Sequence, residues 1–247
     1  MFILKDYYKV PKQLLSIGTT NVKTKKSLAY GYHTLILYLS PASQNSEGKN
    51  LCPASTEGCR AACLFTAGRG IFTSTQSARL NRTQYFLKNR KGFMEQMVKE
   101  IKKEYKKYGD TLCIRLNGTS DIAWENIPVD GAKNIFEKFN KIIFYGYTKV
   151  FNRLLQPQPK NHHLTFSYAE TEINHMYSMM ALELGYSVAM VFGTTNPDNF
   201  PKTYKGVPVV NGDLHDLTFL APKGSIIALK MKGDAKKDTT GFVVRDF

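Results

Sequence analysis

The stretch that decides the fold is TLILYLSPASQNSEGKNLCPASTEGCRAACLFTAGRG, residues 34–70. Its first six residues are mostly apolar and predict a buried strand over residues 34–39, which Ser40 and Pro41 end. Glycine, proline and small polar residues then predict a loop over residues 41–70, and this loop carries three of the four cysteines in the chain. A strand that runs directly into a cysteine-bearing loop is therefore the starting point for both fold and function.

Strand and helix signals alternate along the rest of the chain. Apolar residues recur with helical spacing over residues 75–108, with a break expected near Gly92, and again over residues 171–184. A shorter helix is expected to begin after Asp130, a residue type that caps helix N-termini well. The other strands are expected at residues 111–116, 141–147, 163–167, 187–192, 207–210 and 225–230.

This alternation predicts an α/β protein in which helices cover a parallel sheet. The number of strands suits one domain over residues 1–247, a complete or partial (β/α) TIM-like barrel whose part from about residue 202 is rich in strands. An open doubly wound sheet is the competing arrangement, and in both folds the chemistry lies at the carboxyl ends of the strands. The helix residues expected to face the core are Met94, Val98, Ile101 and Tyr105, and then Ile173, Met176, Tyr177, Met180 and Leu184.

The composition bounds the class of protein. A chain of 247 residues that is 43% hydrophobic can bury a sizeable core. The N-terminal sequence MFILKDYYKV has an apolar run too short for a secretion signal, and no later run has membrane-spanning length. We therefore expect a cytoplasmic protein with no membrane partner. In that compartment, clustered cysteines are more often metal ligands or catalytic groups than disulfides.

The net charge of +14 is the other compositional signal. Basic residues concentrate in residues 88–107 and 223–237, and such a face attracts nucleic acid or anionic substrates, although a solvated helix surface explains it equally simply. No helix-turn-helix, zinc-finger or RNA-binding fingerprint accompanies the charge. The phosphate-binding glycine loop, the nucleophile elbow and the H-E-x-x-H zinc motif do not occur in the sequence either.

Cys52, Cys59 and Cys63 have the spacing C-x6-C-x3-C. Thiolates are soft ligands for zinc, copper(I) and iron–sulfur clusters, and structural zinc usually takes four ligands, often in C-x2-C pairs, which this segment does not contain. Three cysteines can instead hold three irons of a [4Fe-4S] cluster and leave the fourth iron open to a small ligand or substrate. Backbone amides of residues 58–62 are expected to donate to its sulfides. A zinc site and metal-free, redox-sensing thiols remain the alternatives.

Other polar residues follow the predicted strands. Cys113, Arg115 and Asn117 alternate along one face, so Arg115 is expected to be a buried cation that needs a partner. Together with Asp121, Arg115 and Asn117 are the candidate catalytic residues beside the cysteine loop. Secondary candidates are Cys113 as a fourth cluster ligand or a buried thiol, Tyr145, Tyr147 and Lys149 at a strand end, Asp213, His215 and Asp216 for a hard metal or a proton, and Lys230, Lys232, Lys236 and Lys237 for an anion. His162 and His163 are expected to be surface or edge positions, and His175 a structural histidine.

A cysteine loop after the first strand of a partial barrel resembles the architecture of radical S-adenosylmethionine enzymes. Cys59 and Cys63 match the C-x3-C half of that family's C-x3-C-x2-C loop, whereas Thr66 stands at the position of its third cysteine and Cys52 lies upstream. Residues 117–120 also differ from the family's glycine-rich methionine-binding segment. The resemblance implies a barrel and a cluster, and it implies S-adenosylmethionine as a cofactor less strongly.

The sequence is also similar to a phage-borne protein family, which we interpret as an iron–sulfur family. The similarity rests on the CPAS-x3-CRAAC segment, RLNGTSD at residues 115–121, NGDLHD at residues 211–216 and the ending KMKGDAKKDTTGFVV at residues 230–244. It implies a viral origin and a place in the host cytoplasm.

The leading hypothesis is therefore a phage-encoded redox or radical-type iron–sulfur enzyme served by an electron donor. The alternatives are a basic nucleic-acid-binding viral protein with a structural metal site and a simple electron carrier, which usually uses four cysteines.

Overall fold

The computed structural model describes residues 8–18 and 22–247. The N-terminal apolar run considered above falls almost wholly outside these residues. Within them, no helix combines the length and the apolar character that crossing a membrane requires. The helices are α1 (Val22–Lys25), α2 (Glu57–Ala61), α3 (Thr73–Lys88), α4 (Arg90–Tyr108), α5 (Ile135–Lys138) and α6 (Glu172–Glu183). The strands are β1 (Leu15–Ile17), β2 (His33–Leu37), β3 (Leu112–Arg115), β4 (Ile143–Thr148), β5 (His162–Ser167), β6 (Val188–Phe192), β7 (Thr203–Tyr204), β8 (Val207–Asn211), β9 (Ile226–Lys230) and β10 (Val243–Val244).

The strands form one mostly parallel sheet in the order β1-β2-β3-β4-β5-β6-β9-β8-β7, with β10 paired to β6. Strands β2 to β6, β9 and β8 run parallel to their neighbours, while β1 and β7 pair antiparallel at the two ends. The mixed α/β prediction is confirmed. The sheet is not closed within the described residues, because no pairing joins its first and last strands, and a barrel stays a prediction.

Helices cover one face of the sheet, and alternate strand residues supply the core beneath them. Leu35, Ile114 and Phe144 of neighbouring strands pack with Met94 and Ile101 of α4, which confirms these two members of the predicted stripe, and with Phe93, which the stripe did not include. A second core lies under α6, between β5, β6 and β9. On the opposite face, the buried residues Cys113 and Tyr145 pack with Leu217, so the segment between β8 and β9 covers that face.

The helix boundaries differ from the prediction in two places. The break in the long helix lies at Asn89, whose side-chain oxygen accepts the Gly92 N–H at 2.9 Å and caps α4, so the expected break near Gly92 is wrong. The short helix begins at Ile135, not after Asp130, because Asn134 accepts the N–H groups of Phe136 and Glu137 at 3.1 and 2.9 Å. In both cases an asparagine side chain that satisfies free amide groups decides where the helix starts.

Helix α6 contradicts the stripe predicted for it. Ile173 and Met176 are more than half exposed, at 55% and 52%, whereas Asn174, Ser178 and Ala181 are buried. The buried face is polar because the Asn174 side chain accepts the Ala169 N–H at 2.6 Å and so joins the helix to the end of β5. A buried amide group left without a partner costs more than an exposed methionine, and this cost explains the orientation of the helix.

The orientation of α6 can be tested with two substitutions on one helix. We expect Met176→Lys to change the free energy of unfolding by less than about 0.5 kcal/mol, because the side chain is in solvent. Ala181→Leu should cost about 1–3 kcal/mol, because Ala181 is fully buried and a larger side chain overfills its site. Urea denaturation measures both values. A loss of 2 kcal/mol or more in Met176→Lys would restore the predicted apolar inner stripe.

Candidate functional site

The cysteine segment lies across the carboxyl ends of the central strands. The N–H of Ala42 donates to the Cys52 sulfur at 3.4 Å, and the Cys52 thiol donates to the Thr119 carbonyl at 3.7 Å. The Asp121 N–H donates to the Leu51 carbonyl at 2.8 Å. These bonds hold Cys52 against the loop that follows β3, as expected from the position of both loops in the sequence.

Cys59 lies on the short helix α2, which forms inside the predicted loop. The Thr56 hydroxyl caps this helix by accepting the Cys59 N–H at 3.2 Å, and it donates to the Glu170 carboxylate at 2.7 Å. The other carboxylate oxygen of Glu170 accepts the Gly58 N–H at 2.8 Å. A side chain at Gly58 would lie 2.2 Å from the Thr240 hydroxyl, so only glycine lets α2 approach the end of β5 this closely.

The amides of this segment are already used by the protein itself. Those of Gly58 and Cys59 bind Glu170 and Thr56, and those of Arg60 and Ala62 bind backbone carbonyls of the same turn. Donation by the amides of residues 58–62 to cluster sulfides stays a prediction, and four of these five amides are bonded within the protein because the segment folds into a helix.

The three thiols influence one another electrostatically. The pKa of Cys52 is raised to about 11, mainly by burial and to a smaller extent by Asp121, Cys63 and Cys59, while the hydrogen bond from the Ala42 N–H lowers it. Burial also raises the pKa of Cys63, and Cys59 adds to this increase. The hydrogen bond with the Phe65 backbone and the positive charges of Arg79 and Lys149 lower the pKa of Cys63. In the metal-free protein, Cys52 is therefore a protonated thiol at neutral pH.

Two cations flank the thiols. Lys149 follows β4, and its ammonium group donates to the Ser167 carbonyl at 3.2 Å, the Ser167 hydroxyl at 2.6 Å and the Tyr168 carbonyl at 2.9 Å. Burial lowers the pKa of Lys149, and Cys59, Asp121 and Glu170 partly offset this decrease. Arg79 of α3 is 7% exposed, and its guanidinium carbon lies 5.2 and 5.8 Å from the ring centres of Tyr38 and Phe65. Within the described residues, neither cation forms an ion pair with a carboxylate.

The three predicted catalytic residues lie beside this site and are bonded to the protein. Arg115 donates to both oxygens of Asp216 at 3.0 and 3.1 Å, which supplies the partner that its burial required. The Asp121 carboxylate accepts hydrogen bonds from the Arg153 guanidinium at 2.7 Å and from the backbone N–H of Lys149 at 2.8 Å. The Asn117 side-chain oxygen accepts the indole N–H of Trp124 at 2.9 Å. Each of the three residues therefore supports the wall of the site.

The Arg115–Asp216 pair also binds a tyrosine. The Tyr145 hydroxyl donates to Asp216 at 3.0 Å, and the Arg115 guanidinium lies 4.7 Å from the ring centre of Tyr147. Burial lowers the pKa of Arg115, but Asp216 and the surrounding tyrosines raise it by more, so that Arg115 stays charged. Burial and Asp216 raise the pKa of Tyr145.

The secondary candidates are mostly bonded within the protein. Cys113 is buried within 3.4 Å of the Thr34 hydroxyl, and burial raises its pKa to about 12. Asp213 pairs with Lys232 at 2.5 Å, and the His215 ring nitrogen accepts the Leu217 N–H at 3.2 Å. No set of three or more histidine, cysteine or acidic side chains in the described residues is arranged around a single metal ion.

The sequence reasoning missed two residues of the site, Glu170 and Arg79. Glu170 gave no signal, because its contacts with α2 join segments 114 positions apart. Arg79 shares one face of α3 with the buried residues Thr83 and Phe86, and that helical spacing was the available signal for its burial.

The fold and the site define an α/β protein with a cysteine-bearing site at the carboxyl edge of a mostly parallel sheet. The sequence model of the gene product 88 family matches residues 12–246, and the chain belongs to this family. The designation is of a kind used for viral proteins, in agreement with the phage resemblance noted from the sequence. No curated protein and no solved structure matches the chain.

Removing the carboxylate of Asp216 tests the buried ion pair. We expect Asp216→Asn to lower the free energy of unfolding by about 3–5 kcal/mol, because the buried Arg115 loses its counter-charge. Asp234→Asn is the control, because its pair with Lys237 is long and solvent-exposed, and it should cause no measurable loss. Equal effects in urea denaturation would contradict the structural importance of the Arg115–Asp216 pair.

The raised pKa of Cys52 predicts slow alkylation. At pH 8, iodoacetamide should label Cys52 of the folded metal-free protein about a hundredfold more slowly than an ordinary thiol, because the thiolate is the reactive form. The rate should keep rising until the pH reaches about 11. Mass spectrometry of timed samples gives the rate, and the urea-unfolded chain is the control. A folded rate equal to the unfolded one would place Cys52 in solvent.

Proposed function

We propose that this chain is an iron–sulfur protein that holds a [4Fe-4S] cluster on Cys52, Cys59 and Cys63, with its fourth iron open to a small ligand or substrate. The observation that carries the proposal is the position of the cysteine segment at the carboxyl edge of the sheet, where Cys52 is bonded to the loop after β3 and Cys59 lies on the helix that Glu170 holds. Arg79 and Lys149 lie beside this segment and have no carboxylate partner in the described residues. When bound, such a cluster supplies one-electron transfer and an iron with a free coordination position.

The donor set fits a cluster better than a single ion. A cubane takes each thiolate on a different iron, so its ligands need not surround one point. Three thiolates carry more negative charge than the positive charge of the whole iron–sulfide core, and Arg79 and Lys149 lie where they offset the excess. Cys113 is excluded from the ligand set in this proposal, because its thiol is buried against Thr34 within the sheet.

The remaining residues shape the mouth of the site. Glu170 fixes α2 and with it Cys59, while Asp121 fixes the backbone of Lys149. Arg115 and Asn117 hold the two sides of the loop after β3, so their role in the proposal is to position this loop. Asp121 and Glu170 are both bound by protein donors, so in the proposal neither carboxylate is a ligand of the open iron.

We also propose that the sheet is an incomplete (β/α) barrel. The segment between β8 and β9 supports this, since Asp216 and Leu217 lie against β3 and β4 on the face without helices. This arrangement leaves the carboxyl ends of the strands as the accessible end of the site, where a redox or radical-type reaction would take place with an external electron donor in the host cytoplasm.

A nucleic-acid-binding protein with a structural metal is the second candidate. The solvent-facing lysines of α4, among them Lys99, Lys103 and Lys106, favour it, because a row of exposed cations attracts phosphates. In that case binding should weaken as salt rises, and metal should be retained as zinc without colour.

Anaerobic reconstitution with iron and sulfide tests the leading proposal. We expect about four irons per chain and a brown colour, and we expect Cys52→Ser, Cys59→Ser and Cys63→Ser each to lose most of the iron, because each removes one of three cluster ligands. Cys113→Ala is the matched control and should keep its iron. The open iron should be the first iron lost on mild oxidation, as electron paramagnetic resonance of the remaining [3Fe-4S] centre would show.

Three results would overturn this assignment. A colourless wild-type protein that retains zinc would favour the structural-metal candidate. Iron loss in Cys113→Ala equal to that of the other variants would show a fourth cysteine ligand. Equal iron content in all the cysteine variants would show that this segment binds no cluster.

A further inference from the structure

Arg79 is a buried cation whose charge nothing in the described structure explains. It is 7% exposed, and its Nε and Nη1 atoms are buried without a hydrogen-bond partner. A guanidinium taken out of water normally finds a carboxylate or several carbonyl oxygens, because the unpaired charge is costly. The rings of Tyr38 and Phe65 beside it offset part of that cost by cation–π attraction but accept no conventional hydrogen bond.

The neighbouring Arg82, by contrast, has both a hydrogen-bond acceptor and a carboxylate nearby. Arg82 lies three residues further along α3, donates from Nε to the Gln13 carbonyl at 3.2 Å and is attracted by Glu100. The groups beside Arg79 that can become anionic are the Tyr38 hydroxyl and the Cys63 thiol, and the Phe65 ring against the guanidinium belongs to the residue two positions after Cys63. Arg79 therefore has unpaired donors beside the cysteine segment, whereas Arg82 is bonded within the protein.

We propose that Arg79 is a positioning residue for a sulfur anion bound at Cys63, donating hydrogen bonds and positive charge to the Cys63 thiolate and to the adjoining sulfides of the cluster. This inference rests on the proposed function. Charge-assisted donation to sulfur stabilises the more reduced, more negative state of a cluster, and it makes the thiolate a better-retained ligand. Lys149 offers the same charge on the other side but its donors are already bound to oxygens of residues 167 and 168.

The arrangement predicts effects of opposite sign in the two forms of the protein. Without a cluster, the buried unpaired donors of Arg79 destabilise the folded chain, so Arg79→Met should raise the melting temperature of the metal-free chain. With the cluster, the same substitution should lower the reduction potential, because a positive charge beside the anionic centre is lost. A merely structural arginine would give a loss of stability in the metal-free form and no shift in potential.

The experiment compares Arg79→Met, Arg79→Lys and Arg82→Met with the wild type by redox titration and thermal unfolding. At a fixed potential, Arg79→Met should hold at least tenfold less reduced cluster, which is about 59 mV for a one-electron couple. Arg79→Lys keeps the charge and should recover most of the shift, and Arg82→Met should leave the potential unchanged. Chelator-driven iron release should be faster in Arg79→Met than in Arg82→Met.

The outcomes separate the inference from the proposed function. A wild-type chain that takes up no iron and sulfide overturns the function itself. A wild type with a cluster whose potential and iron release are the same in Arg79→Met and Arg82→Met overturns the role of Arg79 alone. A destabilised metal-free Arg79→Met would also overturn it, because the guanidinium would then be satisfied without a ligand.

Discussion

The ion pair between Arg115 and Asp216 is the interaction on which the two-sided structure of the sheet depends. Helices cover one face, and the other face carries the buried guanidinium of Arg115 and the buried hydroxyl of Tyr145, both of which bind Asp216. Asp216 accepts from Arg115 of β3 and from Tyr145 of β4, and so it fixes the covering segment across two strands. A buried pair of this kind adds little net stability, but any other position of the segment would leave a charge unpaired.

The same reasoning about charge explains the cysteine site. The two carboxylates nearest the thiols, Asp121 and Glu170, are bound by protein donors: the first by Arg153 and a backbone amide, the second by Thr56 and Gly58. The two nearest cations, Lys149 and Arg79, have no such carboxylate in the described residues. Asp121 is therefore ion-paired, whereas the positive charges of Lys149 and Arg79 are free to stabilise a thiolate in the cysteine segment.

Helix α6 is linked to the cysteine site through hydrogen bonds at the end of β5. Its polar residue Asn174 faces inward and binds both the Ala169 N–H, at 2.6 Å, and the Ser167 carbonyl, at 3.4 Å. Ser167 in turn accepts two hydrogen bonds from the ammonium group of Lys149. The end of β5 is thus held from both sides by polar contacts, and the position of the Lys149 charge follows from it. The methionines of the helix face solvent as a consequence of this requirement.

The sequence by itself determined the strand–helix alternation, the cysteine segment after the first central strand and the need of Arg115 for a partner, because these follow from local spacing and from the chemistry of single residues. It could not supply the partner, since Asp216 lies 101 positions away, nor the anchor of α2 at Glu170. It misplaced the inner face of α6, since periodicity counts apolar residues and cannot register a hydrogen bond to another strand. Only the tertiary structure decided which charges are paired and which, like Arg79, are left facing the thiols, because ion pairing depends on distances between segments that the chain order does not contain.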